Sequence, residues 1–291
     1  MDMTPELQET GLIEKLSNEY YNLTATEKKA ADYIAGHRVE IQSMSITELA
    51  EASDVAEATL SRFVRRLGYK GFSGFKIALA KSLASSDQEL SPLSGEISEK
   101  DSFSDVTRKL YSADVDAITQ TLNLIDEEAV RKAADYLEAA DKVFCMGQGG
   151  SMVIADEARH LFLTSSGKYI SVADNHTQAI VAATMEQDDA VLYFSYSGAT
   201  KDMMHTLGLA RGRGAKVILI THYPNSPGAK YADVILQCGT NESPLQMGSV
   251  PAKISQLFLL DVLFSEVCRR NLNKCRDSRS LIADALAEKH L

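Results

Sequence analysis

The sequence predicts two domains of different class, a small all-α domain followed by an α/β domain with a parallel sheet. The chain has 291 residues, which at roughly 150 residues per domain suggests two domains. Sequence patterns typical of helix starts occur several times in the first third of the chain. Its second half alternates short runs rich in β-branched and aromatic residues with helical patterns, an order typical of a parallel sheet covered on both faces.

The first two helices begin at capping boxes, in which a hydroxyl residue precedes a glutamate by three positions. The tetrapeptide 24–27 predicts a helix that runs through about His37, and the tetrapeptide 45–48 predicts a short helix over 46–52.

A third helix is predicted from about Ala56 to Leu67, because its apolar residues recur on one helical face. Those residues are Leu60, Phe63, Val64 and Leu67. Gly68 is the expected left-handed residue after the end of this helix, and a turn with a further helix is expected over 69–86.

Residues 46–64 have the spacing of a helix-turn-helix. The small Ala50 stands where the two helices would cross, and Val55 would fill the turn between them. Asp54 occupies a position where glycine is usual, and aspartate tolerates the left-handed conformation better than most residues. Ala56 lacks the side-chain oxygen of a good N-cap, so the second helix has a weak start.

The outward side of this second helix predicts contacts with double-stranded operator DNA, because it carries residue types that bind phosphates and base edges. The predicted DNA-binding residues are Thr59, Ser61, Arg62, Arg65, Arg66 and Lys70. The whole chain has a net charge of −10, yet residues 58–86 contain no acidic residue and carry several lysines and arginines. The phosphates of DNA contact a local basic face, so the net charge of the whole chain does not argue against DNA binding. A plain helical hairpin with a solvated basic face is the alternative interpretation.

A polar stretch with Pro and Gly at 87–101 predicts a linker. The predicted division is therefore a helix-turn-helix domain over 1–86, a linker over 87–102 and an α/β domain over 103–291. Helices are expected over 103–124 and 126–140. The predicted strands are 142–147, 169–174, 189–195, 216–221 and 233–238. The last strand follows its predecessor too closely for a full helix between them.

A long helix is predicted over 250–270. It is apolar almost all round, which indicates burial in a core or in a subunit interface.

Two loops rich in glycine and hydroxyl groups follow predicted strands at their carboxyl ends, where open α/β sheets bind ligands. One is GQGGS at 147–151 and the other is SYSGAT at 195–200, and each opens a helix. Glycine lets backbone N–H groups approach an anion, and a helix N-terminus favours negative charge. Together the loops predict a small phosphorylated ligand, although a tight turn and a helix cap would also explain them.

Neither loop fits a common nucleotide motif. Both lack the Lys-Ser/Thr ending of a nucleoside triphosphate loop, and Met152 stands where the dinucleotide fingerprint needs its third glycine.

The composition excludes several classes of protein. With 45% hydrophobic and 24% charged residues and only 6 prolines, the chain is neither disordered nor collagen-like. Its first 15 residues lack the pattern of a secretion signal, and the longest apolar stretch, 257–264, is far shorter than the ~18 residues of a membrane span. The four cysteines lack metal-ligand spacing. We therefore expect a cytoplasmic protein with reduced thiols, no metal, no cofactor and no membrane partner.

The order of these motifs resembles the RpiR family of transcriptional regulators, also called HexR or MurR. The resemblance rests on RFVRRLGYKGFSGFK at 62–76, followed by a linker and by the GQGGS and SYSGAT loops, and it covers nearly the whole chain. Members join a helix-turn-helix domain to a SIS, or sugar isomerase, domain. The resemblance implies a flavodoxin-like parallel five-stranded sheet, a phosphorylated sugar as effector, and a homodimer or homotetramer.

The resemblance also implies roles for residues of the two loops. The residues implied to bind the sugar phosphate are Gly147, Gly149, Ser151, Ser195, Ser197, Gly198 and Thr200. Among them Ser151 matches a serine that contacts the sugar, and the second loop would hold the phosphate. Glu242, in the loop before the long helix, could accept hydrogen bonds from sugar hydroxyls. Asp54 and Ala56 depart from the family pattern in the turn.

Catalysis is the alternative function, because the SIS fold also occurs in aldose–ketose isomerases. Such a reaction needs a base beside the sugar carbons, usually Glu or His. The candidates are Glu157, His160, His176, His205, His222 and Glu242. Attachment to a DNA-binding domain favours a sensor, so we predict a regulator of carbohydrate metabolism without enzymatic activity, whose operator binding responds to a phosphorylated sugar.

A homo-oligomer is also expected from the DNA-binding domain itself. One helix-turn-helix contacts one half-site, and two copies related by a dyad read a palindrome. The apolar helix over 250–270 is the candidate contributor to the interface.

Overall fold

The computed structural model describes residues 23–84, 97–239 and 249–287. These residues form two compact units, a helical one within 23–84 and an α/β one within the remaining ranges. Residues 85–96, which include most of the linker predicted over 87–102, lie outside the described residues, and so does the predicted ligand residue Glu242.

The helical unit contains the helices that the sequence predicts, with a short 3-10 turn at Glu40–Ser43. Its helices are α1 (Ala25–Gly36), α2 (Ile46–Ala52), α3 (Glu57–Arg66) and α4 (Phe72–Ala84). Thr24 and Ser45 both close capping boxes with the glutamate three residues later, as predicted. Ala56, by contrast, makes no side-chain cap for α3.

One hydrophobic core holds this unit together. Helix α3 contributes the fully buried Leu60, Phe63 and Val64, and it packs against α1, α2 and α4. Gly68 ends the helix with φ +91°, in the left-handed region that the sequence predicts.

The second unit is a three-layer α/β structure. In chain order its elements are α5 (Phe103–Leu124), α6 (Glu127–Ala139), β1 (Val143–Gly147), α7 (Gly150–Leu163), β2 (Tyr169–Val172), α8 (Asn175–Thr184), β3 (Ala190–Phe194), α9 (Lys201–Gly212), β4 (Lys216–Thr221), a 3-10 turn (Ala229–Tyr231), β5 (Val234–Gln237), α10 (Val250–Arg270) and α11 (Leu272–Ala287). The five strands are all parallel and lie in the order β2-β1-β3-β4-β5, which is the flavodoxin-like order.

Helices cover both faces of the sheet because its strands are apolar on both sides, as in β3, where every residue is buried. Helices α6, α7 and α10 share a core with one face, and α8 and α9 share a core with the other. Helix α5 packs against α10 instead of the sheet. The short connection before β5 contains only the 3-10 turn, as its length predicts.

The apolar character of α10 is explained by its position in the core. Its buried side chains include Leu259, Leu263 and Phe264, which pack with strand and helix residues of the same unit. Of the two interpretations that the sequence left open, burial in a core is therefore the correct one for this face of α10. No helix in the described ranges is long and apolar enough to cross a membrane.

Gln178 joins three strands at the carboxyl edge of the sheet. This fully buried side chain donates from Nε2 to the carbonyl oxygens of Gly147 at 2.9 Å and Val172 at 2.8 Å. Its Oε1 accepts a hydrogen bond from the Tyr193 hydroxyl at 3.2 Å. The ends of β1, β2 and β3 are thus tied together by one amide.

We expect Gln178→Leu to destabilise the α/β unit by about 3 kcal/mol, because two buried carbonyls and one buried hydroxyl lose their partner. The urea midpoint of unfolding, followed by circular dichroism, measures this loss. Gln187→Leu, at an exposed position, is the matched control and should change stability by less than about 0.5 kcal/mol. Equal midpoints for the two variants would show that the bridge contributes little.

Candidate functional site

Helix α3 presents two arginines to solvent. Arg62 and Arg65 are exposed, and neither forms an ion pair with any described residue. Among the described residues, Arg62 donates to the Thr59 hydroxyl of its own helix, at 3.3 Å. Thr59 and Ser61 are half-buried on the two flanks of this face. Two unneutralised guanidinium groups one turn apart form a surface suited to a phosphate backbone or to guanine edges.

Arg66 differs from its neighbours because it is tied to α1. Its guanidinium lies 3.2 Å from the carboxylate of Glu27. The backbone N–H of Thr24, together with the Arg66 guanidinium, lowers the pKa of Glu27 below its usual value. Lys70 is exposed, whereas Lys76 donates to the Met44 carbonyl at 2.9 Å. The basic residues of this segment therefore divide into outward ones and ones held within the unit.

The turn of the helix-turn-helix has the left-handed residue that the sequence indicates. Asp54 adopts φ +53°, and the Val55 N–H donates to the Ala50 carbonyl at 2.9 Å. The ammonium of Lys29 forms an ion pair with Asp54, which lowers the pKa of that carboxyl. This contact links α1 to the turn, and no pattern in the sequence pointed to Lys29.

The two glycine-rich loops lie side by side at the carboxyl edge of the sheet. They follow β1 and β3, which are neighbouring strands. The chain leaves β1 toward β2 on one side and leaves β3 toward β4 on the other. This is the topological switch point, where open parallel sheets form a ligand crevice.

In the first loop, the backbone at Gly147 lies very close to the backbone at Ser151. A Cβ atom at Gly147 would lie 2.7 Å from the carbonyl oxygen of Ser151, so only glycine fits there. Gly149 is the N-cap of α7 with φ +54°, and it supplies no side-chain cap. The amide Nε2 of Gln148 is buried without a partner among the described residues. The N–H groups of Ser151 and Met152 donate to the carbonyls of Gln148 and Gly149 at 3.0 and 3.1 Å, which closes the first turn of α7.

The second loop presents hydroxyl groups around the start of α9. Ser195 is buried, and its Oγ accepts from the Gly198 N–H at 3.2 Å. Ser197 is exposed, and its Oγ accepts from the Ala199 N–H at 3.4 Å. Thr200 is the N-cap of α9 but makes no side-chain cap hydrogen bond. These contacts use oxygen lone pairs and leave the hydroxyl hydrogens available to an anion.

A neighbouring segment supports this loop, and sequence reasoning missed it. Gly198 has φ +57°, and a Cβ there would lie 2.0 Å from the Oγ of Ser226, which is buried without a hydrogen-bond partner among the described residues. The Gly228 N–H donates to the Gly198 carbonyl at 2.8 Å. The turn residues at 224–228 are the one sequence signal that could have indicated a tight loop here.

Aromatic stacking holds Tyr196, the aromatic residue of the second loop. The ring of Tyr196 stacks on the ring of His222, with centroids 5.0 Å apart and planes 3° apart. The Nδ1 atom of His222 lies 2.9 Å from the Cys238 carbonyl oxygen. The side chain of His222 thus has a structural position behind the loop.

The other described candidate bases lie on three different helices. Glu157 and His160 lie on α7 and line a surface groove beside β2. His176 is exposed in the first turn of α8, two residues after the N-cap Asp174, and His205 is exposed on α9. Within the described ranges, no cluster of His, Cys, Asp or Glu could hold a metal ion.

The chain matches two family models in the order of the two units. Residues 10–86 match the helix-turn-helix domain of the rpiR family, and residues 136–266 match the SIS domain. A helix-turn-helix transcriptional regulator of Haemophilus influenzae is 34% identical over 255 residues, covering 87% of this chain and 88% of that protein. The chain belongs to the rpiR family of transcriptional regulators.

Solved structures agree with this assignment of the regulator. The NanR protein of Vibrio vulnificus, complexed with ManNAc-6P, has a TM-score of 0.86 and 26% identity, over 97% of this chain and all of that one. A candidate sugar-phosphate isomerase from Listeria monocytogenes shares the fold alone, with a TM-score of 0.54 and 19% identity over 60% of this chain and 93% of that one. The rpiR-family identity, the paired domains and the parallel sheet predicted from sequence are thus confirmed.

We expect Gly147→Ala to destabilise the regulator by about 1–3 kcal/mol, because the new methyl group meets backbone atoms that cannot rotate away. Thermal unfolding measures the change. Gly212→Ala is the control, since a Cβ there meets nothing within 4 Å. An unchanged melting temperature for Gly147→Ala would mean that the first loop is not held in this close approach.

Proposed function

We propose that this regulator binds operator DNA through α3 and that a phosphorylated sugar, bound at the two loops, changes its affinity for the operator. The observation that carries the proposal is the pair of loops at the switch point, each opening a helix with hydroxyl and backbone donors. An anion at that position is favoured by the helix N-termini and by the absence of described acidic side chains in both loops.

The phosphate is assigned to the second loop. Ser197 and Thr200 donate their hydroxyls, the backbone N–H groups at the start of α9 add further donors, and the buried Ser195 shapes the loop through Gly198. Ser151 and the donors at the start of α7 face the sugar end, with Gly147 and Gly149 allowing the close approach. Glu242 is proposed to accept from sugar hydroxyls.

The effect of the ligand on DNA binding follows from linkage. A ligand changes operator affinity only if it binds the DNA-competent and DNA-incompetent arrangements unequally. NanR, similar over its whole length, is complexed with ManNAc-6P, which supports a phosphorylated sugar as the effector class. A protein that binds operator DNA works where the DNA is, so we place the regulator in the cytoplasm.

A role without catalysis is supported by the regulators among its relatives. The fold is shared with a candidate isomerase, so an aldose–ketose isomerase is the alternative. Nuclear magnetic resonance of the purified protein with a phosphorylated sugar distinguishes the two, since appearance of the keto or aldo isomer would establish the enzyme.

We expect Arg62→Ala and Arg65→Ala each to weaken operator binding, by about 1–3 kcal/mol if the arginine reads a base, or with a salt slope reduced by about one if it contacts phosphate. Arg66→Ala should weaken operator binding less, because the Arg66 guanidinium is engaged by Glu27. Fluorescence anisotropy on a duplex selected from random sequence measures the affinity. If Arg62 and Arg65 variants bound like the parent, α3 would not be the recognition helix.

We expect Ser197→Ala to weaken the response to the phosphorylated sugar by about one to two orders of magnitude, since a hydrogen bond to a charged group contributes ~1.5–3 kcal/mol. Operator affinity without ligand should be unchanged. A titration with ManNAc-6P as the first probe, after a thermal-shift screen of other phosphorylated sugars, measures the response.

Ser280→Ala, at an exposed position on α11, is the control for this experiment. A ligand titration that is the same for Ser197→Ala and the parent would show that SYSGAT is only a helix cap and that the effector binds elsewhere.

A further inference from the structure

Buried polar atoms without a partner are concentrated in one part of the α/β unit. Among the described residues, the buried side-chain nitrogen and oxygen atoms without a hydrogen-bond partner are Nε2 of Gln148, Oγ of Ser226 and Nε2 of Gln256. Gln148 follows β1, Ser226 follows β4, and Gln256 lies in the second turn of α10, the helix that follows β5. Such atoms are rare in folded proteins. Their occurrence after three parallel strands indicates a ligand that satisfies them at the carboxyl edge of the sheet.

Gln256 is the most deeply buried of these residues, with an exposed fraction of 2%. Its neighbour Ser255 is also buried, but the Ser255 hydroxyl donates to the Ala252 carbonyl at 2.8 Å. Gln178, the other buried glutamine that is described in this unit, uses both ends of its amide. The amide nitrogen of Gln256 has therefore lost its contact with water without gaining a protein acceptor.

The buried stripe of α10 changes from polar to apolar along the helix. Its polar members, Ser255 and Gln256, lie in the second turn, and the buried residues that follow, from Leu259 to Cys268, are all apolar. Helix α10 follows β5, which ends at the carboxyl edge, so it runs from that edge toward the amino edge. Gln256 thus lies between the hydrophobic core and the carboxyl edge.

Aromatic contacts fix the height of Gln256 in the unit. The ring of Phe264 lies edge-on to the ring of Phe162, with centroids 5.2 Å apart, and Phe162 stacks on Tyr169, the first residue of β2 at the amino edge. Gln256 precedes Phe264 by eight residues, which places it about 12 Å nearer the carboxyl edge. A five-residue strand such as β3 spans roughly 16 Å. Because helical side chains lean toward the N-terminus, the amide of Gln256 extends to the height at which the strands end.

The face of the sheet on which Gln256 lies is that of the first loop. Helices α7 and α10 pack against each other and share a core with the same face. The second loop, to which the phosphate is assigned, leads instead into α9 on the opposite face. Gln256 is therefore placed toward the sugar end of the proposed ligand.

We propose that Gln256 binds the sugar, and that its Nε2 donates to an uncharged oxygen of the ligand, either a hydroxyl or an acyl carbonyl. The inference rests on the proposed function, because it adds a contact to the same crevice. A sugar that lacks an oxygen at this position leaves the buried amide unpaired, so the residue selects among phosphorylated sugars.

Gln256→Met tests the contact, because it removes the amide while nearly keeping the length and volume of the side chain. We expect it to weaken the binding of ManNAc-6P, the first probe for Ser197, by about 10- to 100-fold, since a buried ligand oxygen loses its donor. Inorganic phosphate has no sugar end, so its affinity should fall far less. Isothermal titration calorimetry of the full-length protein measures both affinities.

Two variants serve as references for these titrations. Ser197→Ala should weaken the binding of both ManNAc-6P and inorganic phosphate, because the second loop is assigned to the phosphate. Gln187→Met makes the same replacement at an exposed position and should change neither affinity.

The melting temperature without ligand distinguishes a binding role from a structural one. Loss of a buried amide nitrogen that has no partner removes a desolvation penalty, so Gln256→Met should melt at or above the parental temperature, by up to about 2–4 °C. Gln178→Met removes an amide with three partners and should melt below the parent. A structural role for Gln256 would lower the melting temperature in the same way.

Mannose 6-phosphate, which lacks the acetamido group of ManNAc-6P, identifies the acceptor. An equal loss of affinity for the two sugars in Gln256→Met would assign a hydroxyl, and a loss confined to ManNAc-6P would assign the acetamide carbonyl. Both results support the proposal.

Three results would overturn this role of Gln256 and leave the proposed function standing. They are parental affinity of Gln256→Met for ManNAc-6P while Ser197→Ala binds it more weakly, equal losses for ManNAc-6P and inorganic phosphate, or a melting temperature lowered as in Gln178→Met. A parent protein that binds neither ManNAc-6P nor any other phosphorylated sugar of the thermal-shift screen would overturn the proposed function and this role together.

Discussion

The second unit depends on the pairing of β1 with β3, two strands whose following helices leave the sheet on opposite sides. At that divergence the strand ends would carry unpaired carbonyls, and the buried amide of Gln178 satisfies those of Gly147 and Val172 while accepting from Tyr193. Unpaired buried polar groups cost free energy, so one side chain with three partners stabilises the whole edge. The crevice therefore lies at an open edge of the sheet, above strand ends whose buried polar groups are hydrogen-bonded to Gln178.

Different contacts shape the two loops at this crevice. The first is shaped by backbone contact, because Gly147 approaches Ser151 too closely for any side chain. The second is shaped by packing from another loop, because Ser226 lies against Gly198 and Gly228 donates to its carbonyl. In both cases the missing Cβ lets a neighbouring segment of the chain approach the loop closely.

In the helical unit, two ion pairs connect α1 to the helix-turn-helix and so affect which side chains of α3 face outward. Glu27 draws Arg66 toward α1, and Lys29 draws Asp54 toward the same helix. Exposed ion pairs contribute little to stability. Their consequence is orientation, because α1 engages the acid of the turn and the last arginine of α3. Arg62 and Arg65 are exposed and form no ion pair with a described residue.

The sequence by itself determined what depends on residues a few positions apart. The capping boxes at Thr24 and Ser45, the apolar stripe of α3 and the runs that became β1 to β5 were all predictable, because capping and periodicity are local. The order of glycine and serine loops likewise indicated the switch point. Only the tertiary structure decided which polar groups find partners far along the chain, as Arg66 with Glu27 and Gln178 with Gly147 do. It also separated two helices that look alike in apolar content, since α10 is enclosed by its own core while one side of α5 is not. The reason is physical: a period shows that a face is apolar, but what covers that face is set by elements that the chain brings together only when it folds.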